Sequence, residues 1–312
     1  MKIKSVQNLG GIVVDLNELI SLERFARKFS SNVEKTGIRL NNHYSKLRGR
    51  GMDFAEVRNY QPGDEIRHME WRATARTGRP HIKLYQEERE RPVVIVVDFN
   101  YSMYFGTRVA FKSVIAARLA AIIAWSIMLQ GDRVGGLLYS AALYNEFIPK
   151  ARKQGVLSLL AALSQHTFNL NTTANLAPRY FSEALIRLRH LTRAGSMIVI
   201  ISDFYHVDSD SERYLRQLRL HNEILAYHIC DPLELSCPPA GIYGITDSRQ
   251  KTLLNMTTKQ AQHKYAAYWQ EQIIARQNYF KNLQISYKQF ASVDDLPRLV
   301  WQTFPRKSHV CS

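Results

Sequence analysis

Pro92–Asp98, PVVIVVD, is a run of β-branched aliphatic residues closed by a carboxylate. A strand with one wet face alternates apolar and polar side chains, so an uninterrupted apolar run belongs to a strand covered on both faces. Similar runs lie at 134–139, at 197–201 (ending in Ser202-Asp203) and at 223–229 (ending near Asp231). Helical patterns separate them, at 108–130, 155–165, 181–192 and 209–220. Apolar strands alternating with helices form a parallel sheet, and right-handed crossovers wind it on both faces. The expected fold class is therefore α/β, a doubly wound and mainly parallel sheet. A long helix at 258–283 and a last edge strand at 284–290 complete it.

Towards the N-terminus the texture is different. Residues 15–29 read as an amphipathic helix capped by Asp15, with Glu18 three positions on. Residues 41–60 read as irregular, with glycines at 49 and 51, and Pro62-Gly63 marks a turn. A helix is expected over 64–76 and a strand over 81–86. The domain division that follows is a helical or irregular extension over 1–90 and the α/β domain over 91–300. On a continuous 64–76 helix, Arg67, Trp71 and Thr74 share one face and Arg72 and Arg76 another, so Trp71 is expected to be buried. Arg58, Arg67, Arg72 and Arg76 stand among Asp53, Asp64, Glu65 and Glu70. They either pair with those local carboxylates or form a partner-binding face, for which the guanidinium fork is well suited.

The totals narrow the class. With 312 residues, 46% hydrophobic and 22% charged, the chain has an ordinary globular balance. Its most apolar stretch, 109–129, is interrupted by Lys112 and Arg118 and reads as a buried helix, not a membrane span. The three cysteines, Cys230, Cys237 and Cys311, form neither a disulfide framework nor a zinc set, and fit a reducing cytoplasm. The formal charge of +15 is spread along the chain. It permits an acidic or nucleic-acid partner, but no RNA-recognition or zinc-finger pattern accompanies it. There is no GxxxxGK[ST], GxSxG or HExxH motif.

The strand ends carry the candidate chemistry, because ligands of open α/β sheets bind beyond the carboxyl ends of the strands. Asp98, Asn100 and Ser102 present a carboxylate, an amide carbonyl and a hydroxyl at alternate positions, and Asp203 could add a second carboxylate from a later strand. Oxygen donors of this kind suit Mg²⁺ or Mn²⁺, which would keep an open position for a partner's carboxylate. The bland alternative is that Asp98 caps the helix after its strand. An enzymatic alternative is a metal-dependent phosphohydrolase using Asp98 as nucleophile. His206, three residues past Asp203, could reach the same rim.

DFNYS at 98–102 resembles the DxSxS of the metal-ion-dependent adhesion site of von Willebrand factor A domains, with Asn100 replacing a serine. That resemblance implies a threonine from another loop, for which Thr172 and Thr173 are the candidates, and an aspartate from the last loop, at Asp203. A more extended resemblance is carried by GRGMDFAEVRNYQPGDEIRHMEWRATARTGRP at 49–80, GDRVG at 131–135, ALIRLRHLTRAGSMIVIISDF at 184–204 and DPLE at 231–234. These segments resemble the bacterial family called domain of unknown function 58. The resemblance implies a von Willebrand factor A-like core and a MoxR-type AAA+ ATPase, or that ATPase's client, as partner. The open position on the expected metal reads as a protein-binding role rather than catalysis. Many relatives carry two N-terminal membrane helices, which this sequence lacks, so the expectation is a short, soluble form.

Overall fold

The computed structural model describes residues 10–27, 52–87, 90–168, 180–246 and 251–304. The chain divides into two compact units, one of residues 41–90 and the other of 1–40 together with 91–312.

The larger unit is built on a six-stranded sheet. β3 (Pro92–Asp98), β4 (Arg133–Tyr139), β6 (Met197–Ser202), β7 (Glu223–Cys230) and β10 (Ser286–Ala291) run parallel, and β5 (Tyr144–Lys150) closes one edge antiparallel to β4. The order across the sheet is β10-β7-β6-β3-β4-β5. The chain thus winds outward from β3 to β5, then returns to the other side of β3. That reversal puts a topological switch point between the carboxyl ends of β3 and β6.

Alternation along β3 assigns the two faces. Val93, Ile95 and Val97 belong to a core with α1 (Leu16–Ser21), α3 (Lys112–Leu129), α4 (Arg152–Phe168) and α9 (Leu296–Thr303). Val94 and Val96 belong to a second core with α5 (Phe181–Leu191), α6 (Ser209–Arg219) and α8 (Lys259–Asn282). Both faces are sealed, which is why PVVIVV needs no polar position. Helix α3 is long and apolar enough to cross a membrane by length and composition, but 78% of it is buried inside the fold. Gly136 lets α4 approach β4 closely: a Cβ there would lie 2.6 Å from Leu159 Cδ1.

The N-terminal extension is not one piece. Asp15 caps α1 by accepting from Asn17 N, and Glu18 bonds Arg118 of α3 at 2.6 Å instead of closing a capping box. The Trp125 indole donates to Leu19 O at 3.1 Å, so α1 is part of the α/β unit. Sequence reading also missed β5, α9 and the antiparallel pair β8 (Ile242–Thr246) and β9 (Lys251–Asn255).

In the smaller unit, β1 (Met52–Asn59) pairs antiparallel with β2 (His81–Glu87). The expected irregularity over 41–60 is corrected for this strand. A register shift between Phe54 and Glu56 breaks the alternation that would have revealed it. The expected continuous helix over 64–76 is two pieces, a 3₁₀ turn at Ile66–His68 and α2 (Trp71–Thr77). Met69 and Glu70 leave the helical region, Met69 bridges to Ile82, and the Glu70 carboxylate caps α2 by accepting from Arg72 N. Trp71 is consequently at a helix start and is 66% exposed, not buried as expected.

Candidate functional site

β3 and β6 deliver the expected strand-end residues to one place. Asp98 is 1% exposed and Asp203 2%. Asp98 Oδ1 accepts from Asn100 N at 2.8 Å, and Oδ2 accepts from Ser202 Oγ at 2.8 Å. Asp203 Oδ1 accepts from Tyr205 N at 3.1 Å. Asn100 is fully buried. The Ser102 hydroxyl is buried and makes no hydrogen bond of normal geometry, yet lies close enough to Asp203 to help hold that carboxylate low. Asp98, Ser102 and Asp203 therefore converge, while Thr172 and Thr173 lie outside the described residues. His206 reaches the same rim: its ring packs 5.4 Å from that of Tyr101, and burial lowers its pKa.

A residue that the motif reading passed over occupies the centre. Lys112, the first residue of α3, is 2% exposed. Its ammonium donates to Asp203 Oδ2 at 2.8 Å and to Glu234 Oε1 at 2.7 Å, and faces the Phe105 ring at 6.0 Å. Glu234 Oε2 in turn accepts from Asp231 N at 2.8 Å, inside the capping box of α7 (Pro232–Leu235). Asp231 itself accepts from Thr107 N at 2.9 Å and from Thr107 Oγ1 at 2.5 Å. A signal for Lys112 existed in the sequence. A cation at a helix N-terminus opposes the helix dipole, so a lysine opening a largely apolar helix calls for carboxylates nearby.

The charges settle accordingly. Burial, then the Asp203 charge, raises Asp98 to about 7, against the opposing pull of the Asn100 N–H and of Ser202 and Tyr139. Burial alone would raise Asp203 too, but the Lys112 ammonium outweighs it and brings Asp203 to about 2. Burial disfavours the ammonium as well, yet Asp203 and Glu234 together push Lys112 above its ordinary value.

These donors do not fit the divalent cation expected from DFNYS. Every carboxylate oxygen of Asp98, Asp203 and Glu234 already accepts a hydrogen bond. A metal at Asp203 would meet an ammonium 2.8 Å from the oxygen it needs.

The four arginines divide evenly. Arg58 pairs with Asp64 at 2.7 Å and Arg67 with Glu65 at 2.8 Å. Asp64 and Glu65 are held low first by the Gln61 N–H and by Arg67, respectively. Glu70 pairs instead with Lys83. Arg72 and Arg76 are exposed beside Trp71 on α2, with no carboxylate partner among the described residues.

Residues 56–275 match the family described as Protein of unknown function DUF58. The chain belongs to that family. It is 32% identical over 218 residues to the uncharacterized protein Mb1516 of Mycobacterium bovis, and equally to the uncharacterized protein Rv1480 of Mycobacterium tuberculosis. Each match covers 68% of this chain and 65% of the relative, so the chain spans just under two thirds of the curated relatives it matches. Among solved structures, it is similar to the conserved hypothetical protein BatB from Bacteroides thetaiotaomicron, with 12% identity and a TM-score of 0.44 over 68% of this chain and 96% of that one. So low a score bears on neither fold family nor function.

The two surfaces of this DUF58 protein offer different chemistry. The strand-end cluster is a closed network in which one ammonium bridges two carboxylates. The α2 surface carries an exposed aromatic and two exposed guanidinium groups without a carboxylate partner among the described residues.

Proposed function

We propose that this DUF58 protein is a non-catalytic protein-binding module that works with a MoxR-type AAA+ ATPase, or with that ATPase's client, in the assembly or maturation of a protein complex. The observation that carries the reading is the 66% exposure of Trp71 on the same short helix as Arg72 and Arg76, which have no carboxylate partner among the described residues. Tryptophan and arginine are the residues most enriched among those that dominate interface energies. The segment is also the part of the sequence most distinctive of the family resemblance.

The ATPase itself enters from that resemblance, as does a von Willebrand factor A-like kinship of the doubly wound sheet. A cytoplasmic location accords with the cysteine usage. A hydrolytic role for Asp98 has less to support it, because a carboxyl that is 1% exposed and bonded at both oxygens is a poor nucleophile.

The test is direct binding of the purified protein to the MoxR-type ATPase of its own host, followed by fluorescence anisotropy. Wild type binds, and Trp71→Ala and the pair Arg72→Glu/Arg76→Glu each weaken binding at least about tenfold with an unchanged melting temperature. Absence of wild-type binding removes the ATPase from the proposal. Binding indifferent to all three substitutions removes the α2 surface.

A further inference from the structure

We propose that the Lys112 ammonium is the resident cation of the strand-end site, doing internally and permanently what a bound divalent ion does in a metal-dependent adhesion site. The site is then metal-independent, and its loops are held in one arrangement without a ligand.

The argument begins with position. The carboxyl ends of β3 and β6 flank the switch point of the sheet, and the α7 turn brings Glu234 to the same spot. Three carboxylates from three separate segments meet there with almost no access to water. Such a cluster cannot persist on hydrogen bonds alone, since like charges in a poorly solvated site repel strongly and each pays a large desolvation penalty. A cation between Asp203 and Glu234 relieves that repulsion. In this chain it is covalently supplied: Lys112 Nζ lies 2.8 Å from Asp203 Oδ2 and 2.7 Å from Glu234 Oε1.

The ammonium has three protons to donate and a fixed stem, so it joins loops much as an ion would. It links the β6 end through Asp203 and the loop after β7 through Glu234. Glu234 holds the Asp231 backbone, and Asp231 reaches Thr107 in the loop that follows β3. The loops after β3, β6 and β7 are thereby tied, directly or through Glu234 and Asp231, to one nitrogen. Replacement of the adhesion-motif serine by Asn100, which is wholly buried, fits a site that no longer needs that hydroxyl as a metal ligand.

Two measurements on the intact chain decide the matter. Calorimetric titration of wild type with Mg²⁺ and with Mn²⁺ gives flat traces, and the melting temperature is the same in millimolar Mg²⁺ as in EDTA. Lys112→Met lowers the melting temperature by roughly 10 °C, as expected for stranding a buried pair of carboxylates. The triple variant Lys112→Met/Asp203→Asn/Glu234→Gln recovers at least half of that loss, because it removes the carboxylate charges along with the ammonium. If Lys112→Met does not fold, the triple variant alone carries this arm, and it must fold. Saturable one-to-one metal binding by wild type that Asp203→Asn abolishes overturns the proposal. So does a Lys112→Met protein that melts with wild type, or a triple variant no more stable than the single one. None of these outcomes depends on what binds at α2, so this inference and the proposed function stand or fall separately.

Discussion

Ser202 Oγ donates to Asp98 Oδ2 at 2.8 Å, joining the carboxyl ends of the two strands that flank the switch point. The bond favours the ionised carboxylate, yet burial and the neighbouring Asp203 charge hold Asp98 up at about 7. Between its ordinary value near 3.8 and about 7, the folded protein therefore binds a proton that the unfolded chain has released. Stability from this group falls as pH rises through that window. Asp98→Asn removes the slope. Relative to wild type, the variant should be more favourable at pH 8 than at pH 5 by on the order of a few kcal/mol. Urea unfolding at the two pH values measures the difference, and equal offsets at both would show that Asp98 does not titrate in this range.

His166 titrates with the opposite sign. Its ring stacks on Phe99 at 4.8 Å and its Nε2 meets Asn145 Oδ1 at 2.8 Å, and burial lowers its pKa to about 4. A depressed histidine contributes stability that is complete above 6.5 and is lost as pH falls through about 4. The ring should stay neutral at pH 5.5, which two-dimensional NMR of the imidazole nitrogens reads directly. A midpoint near 6.5 would place the ring in water.

Trp71 and Trp125 make a paired prediction about stability. Trp125 is 1% exposed in the core under β3, and its indole bonds α1 to α3. Trp125→Ala should cost about 3–5 kcal/mol, the usual cost of emptying a buried aromatic site. It should also release the 10–27 segment to limited proteolysis. Trp71→Ala should change stability by no more than about 0.5 kcal/mol, as at other exposed positions. Thermal unfolding of the two variants side by side tests this. A large loss for Trp71→Ala would mean that its ring is covered.

Sequence reasoning succeeded where one strong signal dominates and failed where a local exception overrides it. PVVIVVD, MIVII and EILAYHI announce buried parallel strands because both faces are sealed, and hydrophobic continuity survives any detail of packing. Their ends brought Asp98, Ser102 and Asp203 together as expected, since strand direction alone places them on one edge. The bulge at Phe54/Glu56 hid β1, because one extra residue inverts the alternation that identifies a strand. Met69 and Glu70 broke an expected helix because a bridge to Ile82 and a side-chain cap outbid helical periodicity. The resident ammonium escaped notice for a different reason. Asp98 and Asn100 share a motif, whereas Lys112 meets Asp203 and Glu234 across 91 and 122 residues, and no short pattern records such a meeting.

Gly155 sets helix propensity against packing. It lies inside α4, where alanine is favoured over glycine by about 1 kcal/mol. A Cβ at this position would nevertheless lie 2.6 Å from Lys150 O and 3.0 Å from Val134 O. Both are backbone atoms of the β4–β5 pair and cannot rotate away. Forcing the contact should cost about 1–3 kcal/mol, as overpacking does elsewhere, and so outweigh the propensity gain. Gly155→Ala is therefore expected to lower the denaturation midpoint, whereas Gly155→Ser should lower it at least as much. A rise for either variant would mean that α4 can lift from the sheet edge at little cost, and that the close approach is permitted by glycine without being required by the fold.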